Sequence, residues 1–474
     1  MKPTITIFTS LLLASSSVIS QAPNSSIREL TILYTNDEHG WMEGMSPDQG
    51  AANLYQLWLE QEEYSVDGPF LVLSGGDNFT GPAISTWVQG ESMVDLMNVM
   101  GYDASAVGNH EFDFGLDTLA DRANQADYPY LSANMRWREN GESPVDLGIL
   151  PYTVVSVNGL DIGIIGLSTT STPYVTNPAY VQDLAFTDYE TAVRQTMEQL
   201  EGTDLQIIVA HVCMNELETL IRDIQDLGID LAGGGHCNEL LAKEIGNTVI
   251  LGGGFHFTAY AKTSFVFNLE NRQIVSKDFG TSRNRGATAN ASIETIVTRW
   301  ADSASDSLNE ILAYSARQKA RGDGLEQLII DTWLEAYPDA DIAVTNMGGV
   351  RTNLPEGEVT LSHIVNILPF ANTIISVVVT GQVILEALDR GGRPIVAGLD
   401  RRGQRWIFSR TGEPLQRNQE YTLLLNSFMY AGGDNFGRIQ EANPNGFDTG
   451  VNYRQPFVDW LKNQRSTSRN PLRF

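Results

Sequence analysis

"LTILYTNDEHGW", Leu30 to Trp41, joins an apolar run to an acid and an imidazole two residues apart, Asp37 and His39. The run reads as a buried strand. Residues two apart on extended chain point the same way. Past the end of the strand both side chains can converge on one point. That point is either a metal ion or an ordinary polar turn, and the rest of the chain decides which.

The arrangement recurs. "FLVLSGGD" (70–77), "ASAVGN" (104–109), "LDIGIIGLS" (160–168), "LQIIVAH" (205–211), "DLAGGGH" (230–236) and "TVILGGG" (248–254) all read as buried strands, several ending in Gly or a polar residue. Helical stretches such as "AANLYQLWLEQEE" and "FTDYETAVRQTMEQLEG" lie between them. Strands alternating with helices predict an α/β fold with its chemistry at the strand ends. The segment from Ala291 to Gln318 has no Gly or Pro and is helix-compatible throughout. It reads as a helical connector, within 286–318, between a first domain at 29–285 and a second at 319–474. The second has strands of its own in "DIAVTNMGG" (341–349), "TIISVVVTG" (373–381) and "YTLLLNSF" (421–428).

The polar residues at the strand ends of the first domain are Asp37, His39, Asp77, Asn109, His110, His211, His236 and Asn238. The chain has six histidines, and His39, His110, His211 and His236 each follow an apolar strand closely. Any one alone reads best as a satisfied polar group in a turn. The series reads as a metal centre. Imidazole, carboxylate and amide together suit Zn, Mn, Co or Fe as divalent ions. The candidates are too many for one tetrahedral ion. Two ions sharing one carboxylate use them well. Such a pair, about 3.5–4 Å apart, holds a phosphoryl group and activates a water.

With a net charge of −27, a nucleic-acid-binding surface is not expected. An anionic substrate would need local cations, from metal or arginine. The first 22 residues read as a signal peptide, with Lys2 ahead of an apolar stretch from Ile5 to Ala14 and small residues after it. That stretch is shorter than a membrane span, and no later segment is apolar enough for one. The expectation is an exported protein, periplasmic or secreted.

"TNDEHG", "GGD", "GNHEFD", "AH" and "GGGHCN", in this order, resemble the calcineurin-like metallophosphoesterases, and more narrowly the 5′-nucleotidase family. "TNMGGVR" (345–351), "LPFANT" (368–373) and "NSFMYAGGDNF" (426–436) match the second domain of that family. The resemblance covers nearly the whole mature chain. It implies an N-terminal four-layer α/β/β/α catalytic domain and a smaller α/β domain for substrate specificity. It implies that Asp37, His39, Asp77 and Asn238 hold one metal, and that Asp77, Asn109, His211 and His236 hold the other. His110 would act on the phosphoryl group or the leaving oxygen, oriented by Asp113; a helix-terminal carboxylate is the alternative for Asp113. Arg351 would clamp phosphate or ribose. Phe428 would stack on the base and Asp434 would bind ribose, with core packing as the alternative for Phe428.

Two departures stand out. Relatives usually place a second base-stacking aromatic in a segment like "RGGRPIVAGL" (390–399), where this chain has Arg393 and no aromatic. Arg393 could stack on a base or bind further phosphate. Cys213 and Cys237 lie beside His211 and His236. A disulfide, a thiolate near a metal and plain packing behind the ligands are all open, with packing preferred. The function expected is hydrolysis of nucleoside 5′-monophosphates to nucleoside and phosphate. The alternatives are 2′,3′-cyclic or 3′-nucleotides, nucleotide sugars or a sulfur ester on the same metals, and a non-catalytic binding protein.

Overall fold

The structure, a computed structural model, describes residues 26–474 except Pro47, so the leader lies outside the described residues. Each apolar run of the first domain is a strand: Ile27–Thr35, Phe70–Ser74, Ala104–Ala106, Leu160–Ser168, Leu205–His211, Leu231–Gly234 and Thr248–Gly253. They form two mixed sheets. The first has the order 273–283, 259–268, 27–35, 70–74, 104–106, 130–131, 149–150. The second runs 240–245, 248–253, 231–234, 205–211, 160–168, 152–157.

Side-chain alternation builds the layers. Leu30, Ile32 and Tyr34 point between the sheets, against Ile162, Ile164, Ile207 and Val209 of the facing sheet. Leu33 points the other way and packs with Trp58 and Met97, from the helices Ala51–Gln61 and Glu91–Met100. On the second sheet, Ile165 and Ile208 turn outward to Val193 and Leu217 of the helices Tyr189–Met197 and Met214–Asp223. The result is four layers, α/β/β/α. Central strands are buried on both faces, which is why they read as continuous apolar runs. Ile207 is fully buried between the sheets. Ile207→Ala should destabilise the first domain by about 2–5 kcal/mol, through lost burial and the cavity left behind. A lowered urea midpoint, followed by tryptophan fluorescence, checks this.

The central strands run parallel in each sheet, so their carboxyl ends collect at one edge. Thr35 is level with Ser74, which is level with Ser105; His211 is level with Ser168. The loops beyond these ends carry the candidate ligands.

The connector is shorter than its composition predicts. Asn290 caps a helix by accepting from Ser292 N and Ile293 N, and that helix runs Ala291–Leu308. The chain then forms the strand Ile311–Ser315, antiparallel to Gly357–Thr360. Leu312 and Ala313 enter the core of the second domain, so tertiary burial overrides helical propensity there. The main sheet of that domain has five strands, ordered 394–397, 342–346, 420–426, 373–380, 447–452. Ala343, Ile374 and Leu424 face Trp333 and Phe457 on one side; Val344, Ile375 and Leu425 face Ile384 on the other. Ala83, Leu308 and Val365 make a small apolar plug between the domains, beside a bond from Ala83 N to Asn366 Oδ1 of 2.5 Å. No helix of the described residues is long and apolar enough to cross a membrane.

Candidate active site

Asp77 is the centre of the polar cluster. Its Oδ2 is 3.0 Å from His211 Nε2 and 3.9 Å from His39 Nε2. His211 Nε2 also stands 3.1 Å from Asn109 Oδ1 and 3.1 Å from His236 Nδ1. On the other side, Asp37 Oδ1 is 3.9 Å from His39 Nε2. Candidate metal-binding atoms thus fall into two groups, His39–Asp77–His110 and Asp77–His211–His236, with Asp77 in both. His39 and His211 each turn Nδ1 to a backbone carbonyl, Thr80 O at 3.0 Å and Gly75 O at 2.8 Å. Those bonds put the proton on Nδ1 and leave both Nε2 atoms free to bind a cation.

Local backbone explains how short loops aim so many side chains at one place. Asp37, His39, Asp77, His236 and Asn238 all have left-handed backbone, at φ 56°, 46°, 60°, 69° and 58°. Such strain costs about 1–3 kcal/mol per residue and gathers at functional sites. Glu111 fixes the central loop, its carboxylate accepting from Asp77 N at 2.9 Å, Asn78 N at 2.7 Å and Gly108 N at 2.7 Å. Gly108 is required, because a Cβ there would lie 2.2 Å from Asp77 Oδ1.

Electrostatics follow from burial. Burial, with the charge of Asp77 added, pushes Asp37 up to about 7 against the pull of His211. Burial would also raise Asp77, but the imidazoles of His211 and His110 outweigh it and hold that carboxyl well below the usual range. Burial, then His211, pushes His236 down to about 4. A divalent cation fits this donor set. Asp37 Oδ1 is buried with no hydrogen-bond partner among the described residues, and carboxylate oxygens and imidazole nitrogens converge beside it.

His110 stands beside this cluster. Its Nδ1 donates to Asp113 Oδ2 at 2.7 Å, and Thr176 Oγ1 donates to Asp113 Oδ1 at 3.2 Å. Burial disfavours the charged ring, but Asp113, then Asp77, outweigh that and raise its pKa. Backbone His110 N also donates to Asp77 Oδ1 at 2.8 Å.

A cleft of about 790 Å³, counting its open mouth, joins this cluster to the second domain. His110, Asp113 and His236 line one wall; Asn346, Arg351, Phe370, Phe428 and Asp434 line the other. Phe370 stacks on His110 at 5.8 Å between ring centres, and Arg351 lies over the same phenyl ring at 5.7 Å. Asn346 Nδ2 donates to Asp434 Oδ2 at 2.7 Å, and Asp434 has left-handed backbone at φ 50°.

Two expected residues stand apart. Arg393 is exposed and outside the cleft lining, its carbonyl accepting from Met347 N. Asn238 is exposed, with no hydrogen bond to the Asp77 cluster among the described residues. The cysteines pair as a disulfide, the reading that was open but not preferred. Other residues belong here and were missed. His256 packs edge-on to His39 at 5.7 Å and stacks on Trp41 at 4.9 Å. It follows the Thr248–Gly253 strand closely, as the other histidines follow theirs, and that placement was a usable signal. Phe370 and Tyr180 also line the cleft. Phe370 sits inside the quoted "LPFANT"; Tyr180 carries no sequence signal, because a loop of the first domain brings it in.

The profile of the family described as "5'-nucleotidase, C-terminal domain" matches residues 303–441. The 5′-nucleotidase of Rattus norvegicus is 27% identical over 512 aligned positions, covering 91% of this chain and 88% of that protein. The trifunctional nucleotide phosphoesterase YfkN of Bacillus subtilis strain 168 is 26% identical over 93% of this chain and 34% of that protein. The crystal structure of a 5′-nucleotidase precursor from Thermus thermophilus superposes with a TM-score of 0.78 at 24% identity, over 93% of this chain and 97% of that one. Sequence likeness across both domains therefore accompanies a shared fold: the chain is a hydrolase similar to 5′-nucleotidases over nearly its whole length, and its residues 303–441 match the C-terminal domain of that family.

Proposed function

We propose that the chain is an exported two-metal phosphohydrolase that converts nucleoside 5′-monophosphates to nucleoside and phosphate. The observation that carries this is the single cleft, with the Asp77 cluster at one end and Arg351, Phe428 and Asp434 at the other. Asp37, His39, Asp77 and Asn238 would hold one divalent ion, and Asp77, Asn109, His211 and His236 the other. Asn238 would have to turn inward to do so. When bound, such ions supply charge stabilisation of the phosphoryl oxygens and a more acidic water.

The chain's own residues do the rest. Arg351, which lies over the Phe370 ring, offers a planar cation to the phosphate. Asp113 favours the protonated ring of His110, which would give its Nε2 proton to the departing nucleoside oxygen. Asp434 is oriented by Asn346 and accepts from a ribose hydroxyl. Phe428 packs against Gly433, where a Cβ would meet its ring at 2.4 Å, and offers its remaining face to the base. Export rests on the leader sequence.

Phosphate release from a panel of nucleotides, cyclic nucleotides, nucleotide sugars and an aryl phosphate, with several divalent metals, tests the reading. The alternative esters lose their main support with Arg393 outside the cleft. Phe428→Ala should raise KM for a nucleotide by about one to two powers of ten, because stacking contributes about 1–3 kcal/mol per base. It should leave the aryl phosphate nearly unchanged. Equal losses on both substrates would make Phe428 a packing residue.

A further inference from the structure

The disulfide joins Cys213 to Cys237, with Cα atoms 5.2 Å apart. Each half adjoins the Asp77 cluster: Cys213 lies two residues past His211, and Cys237 directly follows His236 and precedes Asn238. The two histidines touch, Nε2 of His211 to Nδ1 of His236, at 3.1 Å. They are held very differently. His211 is fully buried and fixed by Gly75 O, Asp77 and Asn109. The His236 ring is partly exposed, and His211 is its one hydrogen-bonding partner among the described residues.

The backbone of the His236 loop needs outside support. Left-handed conformation at His236 and again at Asn238 is kept by non-glycine residues only where the surroundings impose it. Its non-covalent ties to the surroundings, among the described residues, include Gly235 N donating to Val212 O at 3.1 Å, Met214 N to Glu239 Oε2 at 3.1 Å and Gly254 N to Glu239 O at 3.1 Å, with Cys237 N donating to Gly235 O at 2.8 Å inside the loop. The disulfide is the covalent tie, and Cys237 is exposed where a reductant can reach it.

We propose that the Cys213–Cys237 disulfide is a positioning element of the metal centre, which holds His236 in place for one of the two ions and releases that half of the centre when it is reduced. This rests on the two-metal reading above. Reduction by a water-soluble trialkylphosphine is balanced. Phosphorus attacks one sulfur and the S–S bond breaks. Water then turns the phosphonium into phosphine oxide, and both sulfurs become thiols, having gained two electrons and two protons.

The test uses the full mature chain loaded with zinc, compared in three forms: oxidised, phosphine-reduced and desalted without oxygen, and Cys213→Ser/Cys237→Ser. Zinc per chain is measured by mass spectrometry and zinc Kd by chelator competition. The oxidised protein should hold about two ions. Reduced protein and the double variant should hold about one, with the Kd of the weaker site raised about 10–100-fold, as when support of a ligand is removed. Turnover should fall with that loss and return with excess zinc in both forms, while reoxidation should rescue only the wild type. Unchanged stoichiometry and Kd in the reduced protein would overturn the proposal. The same result with an unchanged far-UV spectrum decides it even if the double variant fails to fold. Oxidised protein that binds no zinc, manganese or cobalt would overturn the two-metal reading, and this proposal with it.

Discussion

Asp77→Asn should lower the metal content of the purified protein and reduce turnover by about 10³-fold or more. The magnitude follows from the several kcal/mol that paired ions contribute to charge stabilisation, at about 1.4 kcal/mol per power of ten. Asp77 faces both candidate groups: Oδ2 lies 3.0 Å from His211 Nε2 and 3.9 Å from His39 Nε2. An amide keeps the shape and removes the shared negative charge. The loop should survive, because Glu111 grips its backbone N–H groups and not the Asp77 side chain. An intact far-UV spectrum with metal lost is therefore the expected pairing. Two ions bound at normal affinity, with normal turnover, would remove Asp77 from the shared position.

His110→Ala should do the opposite: both ions retained, turnover reduced by about 10²–10⁴-fold, the usual worth of positioned acid–base assistance. His110 Nδ1 is committed to Asp113, which is in turn bonded by Thr176, so one ring nitrogen is left for the substrate. Its ring is also close enough to His39, 5.0 Å between centres, that ligation must be tested and not assumed away. Metal analysis separates the roles. A loss of one ion would move His110 into the coordination set. If it is the proton donor, a substrate with a good leaving group should suffer much less than a nucleotide, since an acidic alcohol departs without help.

Much of this was readable in the sequence because burial and chemistry coincide. Strands packed on both faces leave unbroken runs such as "LQIIVAH" and "LDIGIIGLS", and the residue that ends a run must face the sheet edge. The place of His211 at a strand end, where it meets Asp77, was therefore legible from position alone. The connector misled for the opposite reason: residues 311–315 look helical in isolation, and only pairing with 357–360 makes them a strand. The side-chain contacts across the cleft were not legible. Phe370 meets His110, and Tyr180 lines the same space, through an approach of two domains that no local pattern encodes. Arg393 looked useful by chemistry, yet its left-handed turn at φ 45° leaves it in solvent.

Phe370 belongs to the second domain, and His110 to the first. The stack between them means the His110 imidazole has part of its wall on loan from a neighbour. Separating the domains would bare the imidazole to bulk water and carry Arg351 away with the same phenyl ring. On the proposed roles of His110 and Arg351, acid, clamp and dryness would then disappear together, in one movement. If the halves part during turnover, the proposed bond cleavage would be confined to the interval in which they are shut, and a product leaving between them would meet a site already taken apart.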